Sequence, residues 1–308
     1  MIRVLFAAGA KCWSEYELVL PEALEAKGLT VDLSRDHAPG TVDYIVTAPN
    51  GDVQDYRPYR CCKLVQNIWA GVENLTDNPT LTQPLARMVD PGLTRGMVEW
   101  VTGHVLRHHL GMDRHILGQD GIWRSEIPPL AADRPVTVLG LGALGSACAT
   151  TLSDLGFPVR GWARRDKEIP GVEVFSGHDG LDAVLRDAQI VVLLVPLTAL
   201  TRHLLNAERL ALLKRNTIIL NPGRGPLIDD GALIAALDSH LGHATLDVFE
   251  TEPLPADHPF WAHPKVTVTP HIASATRPAT AATVIAENIR RGEAGQPFQH
   301  LVDRERGY

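Results

Sequence analysis

Cysteine is scarce: Cys12, Cys61, Cys62 and Cys148 are the four in 308 residues. Their spacing matches no zinc-binding pattern, and the adjacent pair Cys61 and Cys62 does not suit an ordinary structural disulfide. Free thiols in a reducing cytoplasm are the expected state. A run of about 18 apolar residues, the length a membrane-spanning helix needs, is missing as well. The opening MIRVLFAAGA places a basic residue before a short apolar run, as a signal peptide does. A helix-like segment with Glu15, Leu18, Leu20 and Leu24 follows at once, so the run reads as a first β-strand. Excess positive charge is also lacking. Lys and Arg number 29 against 36 Asp and Glu, a net charge of −7, which offers nothing to nucleic acid or an anionic membrane. No internal repeat or low-complexity segment is visible. What is present is a chain 45% hydrophobic, with length for about two domains of ordinary size and enough apolar residues to fill their cores.

The most informative stretch is residues 134–156, RPVTVLGLGALGSACATTLSDLG. Residues 136–139 form a short β-branched, apolar run that suits a strand buried on both faces. It breaks into Gly140-Leu141-Gly142-Ala143-Leu144-Gly145, and an Ala-rich helical stretch then runs to Gly156. Strand, G-x-G-x-x-G turn and helix in that order form a dinucleotide-binding fingerprint. Gly140 permits the tight turn, Gly142 lets a pyrophosphate approach the backbone, and Gly145 lets helix and strand pack closely. The helix N-terminus offers unpaired N–H groups and partial positive charge to the phosphates. Ala143 and Leu144 count with the glycines as cofactor contacts.

Around this stretch, strands alternate with helices. Residues 2–8, 31–33, 44–46 and 63–68 read as strands and 14–27 as an amphipathic helix, an α/β domain without a phosphate fingerprint. Residues 94–109 read as a helix crossing into the next domain. Its His104, His108 and His109 read as partly exposed helix histidines, because no carboxylate or cysteine completes a metal site. Residues 111–135 look irregular, an arm suited to packing on another subunit. Strands at 158–162, 188–195, 217–220, 244–248 and 266–269 follow, and a helix at 278–291 returns to the first domain. The expected fold class is α/β: two Rossmann-like or flavodoxin-like domains with parallel sheets, joined by two crossover helices. The substrate domain takes residues 1–96 and 275–308, and the dinucleotide-binding domain 97–274. Two crossings imply a hinge that closes on substrate and excludes water.

An NAD site needs a carboxylate about 20 residues past the glycines, at the end of the second strand. That place is held by Trp162-Ala163-Arg164-Arg165. Arg164 and Arg165 are planar donor forks suited to a 2′-phosphate, and Lys167 adds a third charge. NADPH is therefore the expected cofactor. Ala163, together with Val195 and Pro196 at the end of the central apolar strand, joins the list of cofactor contacts.

Three reactive groups lie beyond the carboxyl ends of later strands, where open α/β sheets place their ligands. Arg224 follows Asn221-Pro222-Gly223, Glu252 follows Asp247-Val248-Phe249, and His271 follows Thr269-Pro270. A cation, a carboxylate and an imidazole suit the reduction of a 2-oxo acid. Arginine binds the carboxylate and polarises the carbonyl. Histidine gives the proton as hydride arrives, and glutamate orients the ring and favours its protonated form.

The segments NPGRGPLID, LDVFETEPLP and TPHIASAT resemble three signatures of the D-isomer-specific 2-hydroxyacid dehydrogenases, and GLGALG resembles that family's nucleotide loop. GWARRDKEIPGV, ATRPA and the terminal VDRERGY are similar to segments of its glyoxylate- and hydroxypyruvate-reducing branch. The resemblance implies Arg224 as the substrate-binding arginine, Glu252 as the histidine's partner and His271 as the acid/base. It further implies that Asp247 faces the nicotinamide amide and that Ala70 and Gly71 offer backbone N–H groups to the substrate carboxylate. Trp69 stands where many relatives carry a small residue, and either narrows the pocket or packs; Arg277 either lines the pocket or makes a surface ion pair. A homodimer built on the nucleotide domain is implied too. Two rivals stay open: a dehydrogenase for another 2-oxo acid, of the phenylpyruvate or 2-ketogluconate type, and a nucleotide-sensing relative without activity.

Overall fold

The computed structural model describes residues 1–304, 306 and 307. Glu305 and Tyr308 of the terminal VDRERGY segment lie outside the described residues. The chain divides into two compact units, Met1–Leu93 with Ala275–Tyr308, and Thr94–Ser274.

In chain order, the first residues build β1 (Ile2–Ala7), α1 (Ala10–Tyr16), α2 (Val19–Ala26), β2 (Val31–Ser34), β3 (Tyr44–Thr47), β4 (Leu64–Asn67), α3 (Glu73–Thr76) and β5 (Leu85–Ala86). Two helices follow, α4 (Pro91–His109) and α5 (Met112–Ile116). Next come β6 (Val136–Leu139), α6 (Ala143–Asp154), β7 (Val159–Ala163), β8 (Val172–Ser176), α7 (Gly177–Arg186) and β9 (Ile190–Leu193). The chain closes with α8 (Ala207–Leu212), β10 (Ile218–Asn221), α9 (Asp230–Ser239), β11 (His243–Leu246), β12 (Val266–Val268) and α10 (Pro278–Glu293).

The first unit holds a five-stranded sheet in the order β2-β1-β3-β4-β5, parallel throughout. The helix expected over 14–27 is two helices. Pro21 has no N–H to donate, and it is accommodated in the first turn of a new helix, where no intrahelical acceptor waits for it. One face of this sheet is covered by α2 and α10, whose Leu20, Leu24, Ala282, Ile285 and Ile289 pack with Val4 and Phe6 of β1. α4 starts earlier than expected. Asp90 accepts the Leu93 N–H at 2.7 Å, and Pro91 occupies the first helical position, where its fixed φ fits.

The second unit holds a seven-stranded sheet in the order β12-β11-β10-β9-β6-β7-β8, also parallel throughout. Strand order reverses between β6 and β9, which opens a crevice at their carboxyl ends. β8 is an edge strand that the alternation of VEVFS did not announce, and its residues are only partly covered. On α4, Met97, Val101 and Val105 join the core beneath α6 and β6. Of the histidines on this helix, His104 and His108 are partly exposed as expected, and His109 is not. His109 is buried, edge-on to Phe157 with ring centroids 5.0 Å apart, because it lies on the same helix face as Val101 and Val105. No described helix is long and apolar enough to cross a membrane.

Candidate active site

The glycine turn sits in the crevice between β6 and β9. Gly140 has φ 101°, and a Cβ there would lie 2.5 Å from the Val195 nitrogen and 2.6 Å from the Leu194 carbonyl. The turn after β6 and the loop after β9 are thus in backbone contact, and Val195 is buried at that junction. Gly145 packs against the Gly140 carbonyl, which seats α6 on the strand. Gly142 caps α6, and a Cβ placed on it would meet nothing within 4 Å. Open space beside the amino end of a 12-residue helix fits a dinucleotide pyrophosphate.

Ala163 ends β7, and Arg164 and Arg165 follow it, exposed. No Asp or Glu occupies these positions, so the strand end fits a phosphorylated ribose. Lys167 does not join them as a third charge for that phosphate. Its Nζ donates to the Leu141 carbonyl at 2.5 Å and lies 3.3 Å from Ser146 Oγ, which straps this loop to the glycine turn.

Arg224, Glu252 and His271 follow β10, β11 and β12, three neighbouring strands of this sheet. Glu252 is held at both oxygens: Oε1 accepts the Phe249 N–H at 2.9 Å, and Oε2 lies 2.7 Å from His271 Nδ1. With Nδ1 engaged, Nε2 is the ring nitrogen left to exchange a proton with a substrate. His271 has φ 53°, a region uncommon for residues with a side chain. Its N–H reaches the Asp247 carbonyl at 2.8 Å. Asp247 is fully buried. Its Oδ1 accepts the Thr269 hydroxyl (2.6 Å) and the Ile272 N–H (2.9 Å), and its Oδ2 accepts the Ala273 N–H (2.9 Å). Burial pushes the Asp247 carboxyl above its ordinary value, and these donors act against that rise. Asp247 therefore anchors the loop that carries His271.

Arg224 extends from a tight loop. Asn221, buried at the end of β10, accepts the Gly223 N–H at 3.1 Å and donates to the Arg224 carbonyl at 2.9 Å. The guanidinium reaches the Gly223 carbonyl at 2.8 Å. The next residue, Gly225, lies so close to the Phe249–Glu250 backbone that a Cβ would fall 2.5 Å from the Glu250 nitrogen. The loops bearing Arg224 and Glu252 are therefore packed main chain to main chain.

Two further groups of expected site residues belong to the first unit. Trp69, Ala70 and Gly71 follow β4, with Trp69 40% exposed. Arg277 caps α10 and is exposed; its side chain runs along Gly92, where a Cβ would meet Arg277 Cγ at 2.7 Å. Sequence reasoning missed Asn221, Gly225 and Thr269. A glycine directly after Arg224 and a hydroxyl two residues before His271 were the signals available. Among the described residues, no group of three or more His, Cys, Asp or Glu is arranged to hold a metal.

Residues 102–273 match the family profile described as D-isomer specific 2-hydroxyacid dehydrogenase, NAD binding domain. Glyoxylate/hydroxypyruvate reductase A of Klebsiella pneumoniae strain 342 is 40% identical over 259 residues, which cover 81% of this chain and 83% of that protein. The protein of the same name from Yersinia enterocolitica is 40% identical over 227 residues, 73% of this chain and 72% of the relative. Among solved structures, a D-isomer specific 2-hydroxyacid dehydrogenase from Xanthobacter autotrophicus Py2, in complex with NADPH and MES, superposes with a TM-score of 0.93 at 41% identity, covering 100% of this chain and 99% of that one. The NADPH-dependent glyoxylate/hydroxypyruvate reductase of Sinorhizobium meliloti, in complex with NADP and sulfate, gives a TM-score of 0.84 at 35% identity, with 100% of both chains covered. With residues 102–273 matched by that profile and relatives 40% identical over most of both chains, the chain belongs to the D-isomer-specific 2-hydroxyacid dehydrogenase family.

Proposed function

We propose that the protein reduces small 2-oxo acids, glyoxylate and hydroxypyruvate foremost, to the 2-hydroxy acids with NADPH. The observation that carries this reading is the 2.7 Å pair of Glu252 and His271 Nδ1, on the same sheet edge as Arg224 and the dinucleotide turn. Bound NADPH supplies the hydride. Arg224 grips the substrate carboxylate and draws electron density from the adjacent carbonyl. As hydride adds to the carbonyl carbon, His271 passes a proton from Nε2 to the carbonyl oxygen, and Glu252 stabilises the ring while it is charged. Arg164 and Arg165 take the 2′-phosphate; Gly140, Gly142, Ala143, Leu144, Gly145, Ala163, Val195, Pro196 and Asp247 complete the cofactor contacts. Ala70 and Gly71 offer N–H groups to the carboxylate, and Trp69 and Arg277 shape the pocket. The names and bound cofactors of the relatives support both the substrates and the cofactor.

We also infer a cytoplasmic homodimer. All four cysteines are free, which suits a reducing compartment. The arm after α4 exposes Ile116, Leu117, Ile122, Trp123, Ile127 and Leu130, Trp123 at 94%. Such a concentration of apolar side chains suits burial against a second copy. The test is a panel of initial rates with 2-oxo acids under NADPH and NADH. The highest kcat/KM is expected for glyoxylate or hydroxypyruvate with NADPH. A higher value for phenylpyruvate or 2-ketogluconate would reassign the substrate, and no turnover with any of them would favour a nucleotide sensor.

A further inference from the structure

A backbone donor is aimed by the peptide plane it belongs to. In the loop after β4, the Trp69 carbonyl accepts two hydrogen bonds, from the Met88 N–H at 3.0 Å and from Asn67 Nδ2 at 2.9 Å. Asn67 Nδ2 also reaches the Gly71 carbonyl at 2.7 Å. The peptide after Trp69 is not cis, and in a trans peptide C=O and N–H point in opposite directions. Drawing the Trp69 carbonyl inward therefore turns the Ala70 N–H outward.

Asn67 is fully buried at the end of β4, in register with Thr47 of β3. Its Oδ1 has no hydrogen-bond donor among the described residues. A buried amide satisfied at one end only costs stability that an apolar side chain would not. What Asn67 gains for that cost lies at Nδ2, in the shape of the loop. Its neighbour Gln66 keeps the base of the loop rigid: Nε2 donates to the Asn67 carbonyl at 3.0 Å, and Oε1 accepts from Asn288 of α10 at 2.7 Å.

We propose that Asn67 is a positioning residue for substrate binding. Its amide holds the Trp69 and Gly71 carbonyls so that the Ala70 N–H stands pre-aimed at the substrate carboxylate, without Asn67 touching the substrate. The proposal rests on the reading that the loop of residues 69–71 meets that carboxylate. Pre-aimed donors need no reorganisation when an anion arrives, so losing the clamp weakens binding more than it slows the chemistry.

The experiment compares Asn67→Ala, the milder Asn67→Ser and Ala70→Pro, which deletes the N–H itself. In Asn67→Ala, KM for glyoxylate and for hydroxypyruvate is expected to rise by the same factor, about tenfold for two neutral hydrogen bonds. The inhibition constant of oxalate, which presents a carboxylate but no reducible carbonyl, rises with it. kcat and NADPH affinity, measured by fluorescence titration, stay near wild type. Unchanged KM in Asn67→Ala beside a raised KM in Ala70→Pro would overturn the clamp while the loop keeps its role. Unchanged KM in both would overturn the loop reading, and the clamp with it. Loss of NADPH affinity together with substrate affinity in both Asn67 variants would mark Asn67 as a residue of the fold and overturn the proposal.

Discussion

A histidine at φ 53° is held there by its surroundings: the Asp247 carbonyl takes its N–H, and Glu252 takes its Nδ1. At the scale of single residues this arrangement leaves one proton position open to substrate, and replacing His271 with Ala should cost about 10² to 10⁴ in kcat, the scale of a lost general acid. NADPH binding, followed by fluorescence titration, should survive, because His271 is not among the proposed cofactor contacts. With His271 as the proposed acid, reduction needs the protonated ring, so its rate should fall as pH rises, with oxidation of the 2-hydroxy acid following the opposite trend. Glu252→Gln removes the charge that steadies the ring; a pH–rate profile identical to wild type would take Glu252 out of the mechanism. In the proposed role Arg224 offers two parallel donors to the substrate carboxylate, which a lysine cannot reproduce. Arg224→Lys should therefore lose most of kcat/KM for glyoxylate with NADPH affinity kept, and loss of both would make Arg224 a residue of the fold. For the cofactor, replacing Arg164 and Arg165 together with Ala should raise the KM for NADPH about ten- to a hundredfold, the worth of one charged contact, and leave NADH use nearly unchanged. Equal effects on the two cofactors would refute the 2′-phosphate assignment. These residues were legible in the sequence because each follows a recognisable strand. Asn67, Asn221 and Gly225 were not, since their work is done on neighbouring backbone that only the folded chain brings close.

At the scale of elements, the end of α4 meets β11 and β12 through half-buried polar groups. His108 Nε2 lies 2.9 Å from Thr245 Oγ1 and His243 Nε2 2.8 Å from Thr267 Oγ1, with the two rings 5.0 Å apart. Arg107 forks onto Asp113 at 2.7 and 2.8 Å and donates to Thr267 at 3.0 Å. Burial is the main force that lowers His108 to about 3 and His243 to about 4; Arg107 and His104 lower both further, His263 acts on His243 in the same sense, and Asp113 opposes. Both rings are neutral in the folded protein and take up protons only on unfolding, near the ordinary value of about 6.5. Their contribution to stability is thus complete above about pH 6.5 and is lost as pH falls toward 4. Thermal melting followed from pH 7.5 to 4.5 should show a falling Tm, and His243→Gln should flatten the slope. A slope unchanged in that variant would place the acid sensitivity elsewhere. Spacing predicted α4 and the shared face of Met97, Val101 and Val105 that is buried, but not what its histidines would meet. The i, i+4 histidines of a helix look alike on paper whether water or a sheet lies against them. Short strands followed the same logic: β6 and β9, buried on both faces, read as apolar runs, whereas β5 and β8 at sheet edges left little pattern.

At the scale of the whole molecule, the arm of residues 110–130 belongs to the second unit, and its exposed apolar side chains are unlike an ordinary monomer surface. Replacing Trp123, 94% exposed, with Asp should convert a dimer to a monomer in analytical ultracentrifugation. A wild-type protein that sediments as a monomer at micromolar concentration would refute the dimer outright. The family resemblance covers nearly the entire chain, so the class of fold is plain from the sequence. What it could not convey is how the first unit is put together from two distant pieces. All five strands of its sheet lie within the first 86 residues, yet its core includes Ala281, Ala282, Ile285, Ala286 and Ile289 of α10. On a ribosome, the 181 residues from 94 to 274 emerge between those pieces, a delay of roughly 10–40 s at about 5–20 residues per second. Through that interval Leu20 and Leu24 lack the helix that covers them, while the second unit, continuous in sequence, has everything it needs to fold. The part of the protein synthesised first is therefore the part finished last, and it is the part that a chaperone would have to shield.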